Sequence, residues 1–146
     1  MLDSIKMFGE MNKKNFDSKI EFDENLVQSW LNNRKFKAEL LYRKSKNSST
    51  PNDFHNKCDN KGITITFIKT TKGFKFGGYT ELYWDKSGSR KIDKSTFIFS
   101  FNNKQKLIAR NNNKSIPCRL DEGPHFGCNY PEIFLNETLD RGESWD

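Results

Sequence analysis

Hydrophobic and polar residues alternate with a period of two over much of this chain, the pattern typical of half-buried β-strands. Residues 63–68 are the clearest case: Ile63, Ile65 and Phe67 are predicted to face the core. Thr64 and Thr66 are predicted to face outward. Similar segments, separated by turn-forming residues, cover residues 36–42, 74–82, 96–101, 106–110, 116–120 and 130–136. The pattern therefore predicts seven or eight short strands joined by turns.

Two segments carry a helical pattern instead. Residues 26–31 form an apolar stripe behind Asp23, a good N-cap, and predict a helix to about residue 33. Thr50, Pro51 and Asp53 form a second helix start, with a cap, a proline at the first position and an acid three residues after the cap. The strands and helices together predict a mainly β (α+β) fold, a two-sheet antiparallel β-sandwich with two short peripheral helices.

The length of 146 residues suits one domain with a substantial core. Residues 1–16 lack a strong periodicity, so we predict a linker or the end of a lost upstream region there. Residues 17–146 are predicted to form the domain.

Composition limits the partners of this domain. Hydrophobic residues make up only 34% of the chain, but 13 phenylalanines raise the aromatic share to 14%, so an aromatic core is expected. The net charge of +6 is dispersed along the chain, whereas nucleic-acid binders usually concentrate basic residues. The dispersed charge therefore disfavours nucleic acid as a partner. No apolar run reaches the ~18 residues of a membrane span. Three cysteines leave one unpaired in any disulfide scheme, which favours a reducing, cytoplasmic location.

A pair of glycines interrupts the strand predicted over residues 74–82. Glycine weakens a strand interior unless another group must approach the backbone closely. Gly77 and Gly78 lie inside a strand rather than between a strand and a helix, so a phosphate-binding loop is not expected. We predict that a neighbouring side chain packs over them, and that Phe126, within a bend at residues 123–127, points inward.

An ordered series of motifs resembles the TLDc domain family over roughly residues 20–135. The series comprises Leu40-Leu41-Tyr42-Arg43-Lys44-Ser45, Asp53-Phe54-His55, Cys58-Asp59, Gly62, Phe76-Gly77-Gly78-Tyr79-Thr80, Trp84, Phe97-Ile98-Phe99-Ser100 and Gly123-Pro124-His125-Phe126-Gly127. The resemblance implies a β-sandwich with peripheral helices and a role in oxidation resistance through a protein partner, such as subunits of the vacuolar proton pump (V-ATPase). It implies no catalytic residues and no cofactor, so its signature residues are expected to be structural.

The sequence also departs from the family pattern. Gly62 is followed directly by Ile63, where the family often has proline. Family domains continue past the point where this chain stops and close with another hydrophobic strand. We therefore expect the final strand or strands to be missing.

Two alternatives concern chemistry. His55-x-x-Cys58 and His125-x-x-Cys128 repeat one spacing and offer four ligands suited to zinc, if the two pairs meet. The same residues offer a Cys–His nucleophile, which needs a thiolate beside an imidazole. The charged loops at residues 86–94, 102–106 and 111–114 are instead candidates for a protein interface.

Overall fold

The computed structural model describes residues 2–8, 22–47, 49–108, 115–127, 133–135 and 142–144. Within these residues the chain forms two helices and eleven strands, and every pair of strands is antiparallel. In chain order the elements are β1 (Leu2–Phe8), α1 (Glu24–Trp30), β2 (Lys37–Arg43), α2 (Pro51–Cys58), β3 (Thr64–Lys69), β4 (Lys75–Thr80), β5 (Arg90–Ile92), β6 (Phe97–Ser100), β7 (Gln105–Leu107), β8 (Ser115–Pro117), β9 (His125–Phe126), β10 (Ile133–Leu135) and β11 (Gly142–Ser144).

The strands form two layers. The larger layer is a six-stranded sheet in the order β2-β1-β3-β4-β6-β7, so β2 and β7 are its edges. The second layer contains a three-stranded sheet, β11-β10-β9, and the β5-β8 pair. These two pieces are joined where the Gly127 N–H donates to the Ser115 carbonyl oxygen at 2.8 Å.

Each face of the large sheet has its own hydrophobic cluster. Helix α1 covers one face, where Val27 and Trp30 pack against side chains of β3, β4 and β6; the cluster contains Val27, Trp30, Leu31, Phe36, Ile65, Tyr79, Phe97 and Phe99. Helix α2 and the second layer cover the other face; this cluster contains Tyr42, Phe54, Cys58, Trp84, Ile116, Cys118, Phe126 and Ile133. The predicted mainly β sandwich with two short helices is confirmed.

Both helices begin as their sequences predict. The Asp23 carboxylate accepts a hydrogen bond from the Leu26 N–H at 3.0 Å, which satisfies one of the free N–H groups at the start of α1. At α2, Thr50 is the N-cap and Pro51 occupies the first turn. The local cap residues therefore determine where each helix begins.

The outward orientation predicted for Thr64 and Thr66 is wrong, because both threonines are buried. Alternation correctly separates Ile65 from Thr64, but the threonine face of β3 lies under the second layer instead of solvent. The Thr64 hydroxyl accepts a hydrogen bond from Trp84 Nε1 at 3.0 Å, which allows a polar side chain to be buried there.

The amino-terminal segment also differs from the prediction. The sequence predicts a linker or the end of a lost upstream region over residues 1–16, yet Leu2–Phe8 forms β1 between β2 and β3. Its register against β2 shifts between Ser4 and Ile5. The extra residue at this shift is Leu41 of β2, and β1 keeps a continuous register with β3, so the irregularity belongs to β2. Strand β1 is identified by its pairing on both sides, because its own sequence shows no strong alternation. Residues 9–16 lie outside the described residues.

Three further strands were not predicted: β5, β9 and β11, each of two or three residues. Strand β5 lies in a segment predicted as a polar loop, and β9 in a segment predicted as a bend. Strand β11 pairs with β10 beyond the last predicted strand. Two or three residues are too few to show periodicity, so only pairing with a distant segment identifies them.

Candidate functional site

The predicted signature residues of α2 begin with a reciprocal cap. The Thr50 hydroxyl accepts from the Asp53 N–H at 3.3 Å and donates to the Asp53 carboxylate. Thr50 and Asp53 thus occupy the N-cap and N3 positions of a capping box, with aspartate in place of the usual glutamate or glutamine, and the Asp53 carboxylate bonds to the Thr50 hydroxyl. Asp53 therefore sets the start of the helix that carries His55 and Cys58.

Phe54 and Cys58 point from α2 into the core beneath the second layer. Both side chains are fully buried. Phe54 packs edge to face against Tyr42 and Trp84, with ring centroids 5.9 Å apart in each pair. Trp84 in turn packs edge to face on Phe126 at 5.3 Å. These residues connect α2 to β9 through one continuous aromatic contact.

The close approach predicted at the glycine pair is present. A Cβ atom on Gly78 would lie 2.5 Å from Phe126 Cδ2, so the ring packs directly on the strand backbone. A Cβ atom on Gly77, facing the opposite side, would overlap the Thr66 carbonyl oxygen. The inward position predicted for Phe126 is therefore confirmed.

His55 is buried with a hydrogen-bond acceptor at each ring nitrogen. Nδ1 lies 2.7 Å from Asp59 Oδ1, and Nε2 lies 2.8 Å from the Arg119 carbonyl oxygen and 3.1 Å from that of Glu122. A carbonyl oxygen only accepts, so Nε2 carries a proton. The ring is held between the Asp59 carboxyl group and the two carbonyl groups. Both ring nitrogens are therefore engaged within the protein, and neither faces an open position for a metal ion.

His125 holds the same loop from the other side. Its Nδ1 lies 2.8 Å from Glu122 Oε2, and Glu122 Oε1 accepts from Arg119 Nη1 at 3.1 Å. The two histidines therefore converge on residues 119–122, one through main-chain carbonyls and one through a carboxylate. Their shared effect is to fix the loop that leads into β9.

The arrangement gives the zinc alternative no support. Among the residues that the structure describes, no three His, Cys, Asp or Glu side chains are grouped as metal ligands. Both ring nitrogens of His55 contact either Asp59 or the carbonyl groups of residues 119–122. Cys58 belongs to the hydrophobic cluster beneath the second layer. Cys128, the fourth proposed ligand, lies outside the described residues.

The described cysteines are also poorly placed for nucleophilic chemistry. Cys58 and Cys118 are buried and form no disulfide with each other. Burial raises the pKa of the Cys118 thiol, which disfavours the reactive thiolate. The described part of the chain therefore contains no activated cysteine for the Cys–His nucleophile that the sequence suggests.

Tyr79 and Thr80 lie on opposite faces of β4 and therefore contact different parts of the protein. The Thr80 hydroxyl donates to Asp93 Oδ2 at 2.5 Å, and the same carboxylate oxygen accepts from the Glu81 N–H at 3.0 Å. Thr80 and Asp93 therefore connect β4 to the turn before β6. Tyr79 points to the face covered by α1 and reaches an open cleft.

This cleft, of about 360 Å³, lies between the end of α1, the strands β4 and β6, and the region around β7. Its floor is aromatic, because Tyr79 stacks on Phe97 with centroids 5.0 Å apart. Charged side chains surround the floor. The full lining comprises Trp30, Leu31, Asn32, Arg34, Tyr79, Glu81, Lys94, Ser95, Thr96, Phe97, Lys106 and Ile108.

Glu81 organises one side of the cleft. Its Oε1 accepts from the Tyr79 hydroxyl at 2.9 Å and from Arg34 Nη1 at 3.3 Å. Burial, reinforced by this hydrogen bond to the Glu81 carboxylate, raises the pKa of Tyr79, so the phenol stays protonated as a donor. The single acid of the lining is thus already engaged by two neighbours.

Lys106 forms the opposite side of the cleft. Its Nζ donates to the Trp30 carbonyl oxygen at 2.7 Å and lies 4.4 Å from the centre of the Phe97 ring. The carbonyl at the end of α1 and the ring face both favour a cation at this point. The ammonium group is therefore held beside the aromatic floor.

Two of the three loops predicted as interface candidates contribute to this cleft, through Lys94 and Lys106. The third, residues 111–114, lies outside the described residues. The sequence did not single out Arg34, Tyr79 or Glu81 as neighbours, since 45 residues or more separate Arg34 from the other two. No local spacing signals a contact of this kind.

Comparison with known proteins was made at the level of families, curated proteins and solved structures. The profile of the TLDc domain matches residues 16–145, which is most of the chain. Neither the curated proteins nor the solved structures gave a significant match. Among the described residues, no helix is long and apolar enough to cross a membrane. Because the family match covers every element from α1 to β11, the chain belongs to the TLDc domain family.

Proposed function

We propose that this chain is a non-enzymatic protein-interaction module that acts in resistance to oxidative stress by engaging the V-ATPase or a similar partner. Membership of the TLDc domain family is the observation that carries the proposal. We further propose a cytoplasmic location, consistent with two buried thiols, Cys58 and Cys118, that form no disulfide with each other.

The environment of the described histidines and cysteines supports an interaction role over an enzymatic one. His55 is bonded through both ring nitrogens, His125 is bonded to Glu122, and Cys118 is buried with a raised thiol pKa. A catalytic base or nucleophile needs an accessible reactive atom near a substrate site. These groups instead hold the loop and the core together.

The proposal is tested by retention of purified V-ATPase on the immobilised full chain at physiological salt. We expect pump subunits to be retained by the chain. A basic protein of the same size and net charge is the control, because a charge of +6 alone attracts acidic proteins. Retention no greater than on this control would exclude the V-ATPase as the partner.

A further inference from the structure

We propose that the cleft beside α1 and the adjoining edge of β7 bind an acidic, extended segment of a partner protein that also carries apolar residues. The inference rests on the proposed interaction role and assigns it a surface and a ligand chemistry. Three features of this region lead to it: its charge, its position at a sheet edge and its exposed apolar side chains.

The charges that line the cleft favour an anionic ligand. Arg34, Lys94 and Lys106 are basic, whereas Glu81 is the single acid among the described residues that line the cleft. The Glu81 carboxylate already accepts hydrogen bonds from Arg34 and from Tyr79. A carboxylate entering the cleft therefore meets an excess of positive charge, together with an aromatic floor that excludes water on one side.

The sheet edge favours an extended peptide over a small anion. Strand β7 pairs with β6 on one side, and no strand of the described residues pairs with its other side. An open edge offers main-chain N–H and C=O groups to an added strand, as in β-augmentation. Lys106, at the centre of β7, lines the cleft, so a peptide along this edge passes over the basic residues.

The exposed apolar side chains beside the edge indicate that the bound segment carries apolar residues as well as acidic ones. Leu107, in β7 itself, and Ile108, which follows it, are 41% and 53% exposed. Ile108 and Lys94 line the same cleft. Alternating acidic and apolar residues in a strand place the two chemistries on opposite faces or in alternate pockets, which suits this mixed surface.

This combination distinguishes a peptide from a nucleic acid. A nucleic-acid groove usually presents a continuous basic stripe with few carboxylates. Here Glu81 lies within the cleft and pairs with Arg34 at 3.3 Å, and exposed aliphatic side chains lie beside it. Phosphate groups gain nothing from the aliphatic side chains, whereas a peptide buries them.

The test measures binding of a fluorescent ten-residue peptide with alternating Glu and Ile or Val residues, by fluorescence polarisation with the full chain. The two test variants are Lys106→Met, which keeps the apolar stem over Phe97, and Lys94→Met. The matched control is Lys72→Met, since Lys72 is exposed in the β3–β4 hairpin and does not line the cleft. Far-UV circular dichroism and urea unfolding establish that each variant is folded.

We expect saturable binding that weakens at least tenfold in the double variant Lys94→Met/Lys106→Met, and less than twofold in Lys72→Met. Lys94→Met alone should weaken binding severalfold, which keeps the test decisive if the double variant is unstable. A peptide N-methylated on alternate amides should also bind at least tenfold more weakly, because it cannot complete the β7 edge.

Several results would overturn the inference. These are equal binding of a Lys-for-Glu peptide, an equal loss in Lys72→Met, displacement of the peptide by millimolar phosphate, or tighter binding of a single-stranded oligonucleotide. Retention of V-ATPase by the wild-type chain and equally by the double variant would exclude the cleft as the docking surface while leaving the proposed function intact. Peptide binding without any retention of the pump would instead exclude the V-ATPase as the partner, while the cleft would remain assigned as a peptide-binding site.

Discussion

The packing of Phe126 on Gly78 makes a quantitative prediction about how the two layers are joined. Replacing Gly78 by alanine adds one methyl group, which would lie 2.5–2.6 Å from three carbon atoms of the Phe126 ring. Carbon atoms in a packed core are normally separated by about 3.5–4.0 Å. The ring must therefore move by about 1 Å, and Phe126 also contacts Trp84, so the displacement is passed into the aromatic cluster.

Overpacking of this kind typically destabilises a protein by about 1–3 kcal/mol. We expect Gly78→Ala to lower the free energy of unfolding by about 2 kcal/mol. The obstacle is a side chain, so trimming it should restore part of the loss. In the double variant Gly78→Ala/Phe126→Leu, we expect a favourable coupling energy of about 1 kcal/mol or more relative to the sum of the single variants.

Gly77 provides an internal contrast, because its obstacle is the backbone. A Cβ atom there would overlap the Thr66 carbonyl oxygen and lie 2.7 Å from Phe99 Cζ. The β3–β4 ladder holds that carbonyl in place, and no side-chain substitution removes it. Gly77→Ala should therefore destabilise the domain more than Gly78→Ala, and Phe126→Leu should not rescue it.

Urea unfolding followed by circular dichroism measures all of these differences from the shift of the midpoint at constant slope. Gly73→Ala is the control for the general effect of adding a methyl group to glycine: no atom lies within 4 Å of its Cβ position, although its φ of +86° adds some backbone strain. A wild-type midpoint for Gly78→Ala would refute the close packing. Additive behaviour of the Gly78 and Phe126 changes would show that the ring is not what the methyl group meets.

Three further predictions concern the polar and sulfur-containing groups. His55→Ala should lower the free energy of unfolding by about 3 kcal/mol, because it removes the buried ring that bonds to the Asp59 carboxyl group and to the Arg119 and Glu122 carbonyl oxygens; a loss under 1 kcal/mol by urea unfolding would contradict the assigned hydrogen bonds. Burial raises the pKa of Asp85, but hydrogen bonds from Lys91 and Ser87 outweigh this effect and hold it at about 2, below the usual 3.8. Since a lowered pKa stabilises the fold only while the carboxyl is ionised, Asp85→Asn should lower stability by about 1 kcal/mol at pH 6, and the difference should disappear as the pH falls from about 4 to 2; a pH-independent difference would exclude this linkage. In a Cys128→Ser variant, a thiol reagent should modify Cys58 and Cys118 only after urea is added, whereas rapid labelling of the folded chain would contradict their burial.

Local sequence was sufficient for the elements whose signals lie within a few residues. The caps at Asp23 and Thr50 determine the helix starts, because each cap acts on N–H groups two or three residues ahead. Alternation identified β3, β4 and β6, since the period of two reflects the geometry of the strand itself. The glycine pair also indicates that another group approaches the strand backbone closely, although the sequence alone does not identify that group.

Only the tertiary structure decided what covers each face and which distant groups meet. The sequence predicts that Thr64 and Thr66 are exposed to solvent, yet the second layer buries them. Alternation shows only that the two faces of a strand differ in polarity, and it does not show that the polar face is exposed. His55 meets the Arg119 carbonyl across 64 residues, and Lys106 meets the Trp30 carbonyl across 76. Contacts at such separations leave no periodic trace, so the folded chain alone places the histidine against its loop and the basic residues around the cleft.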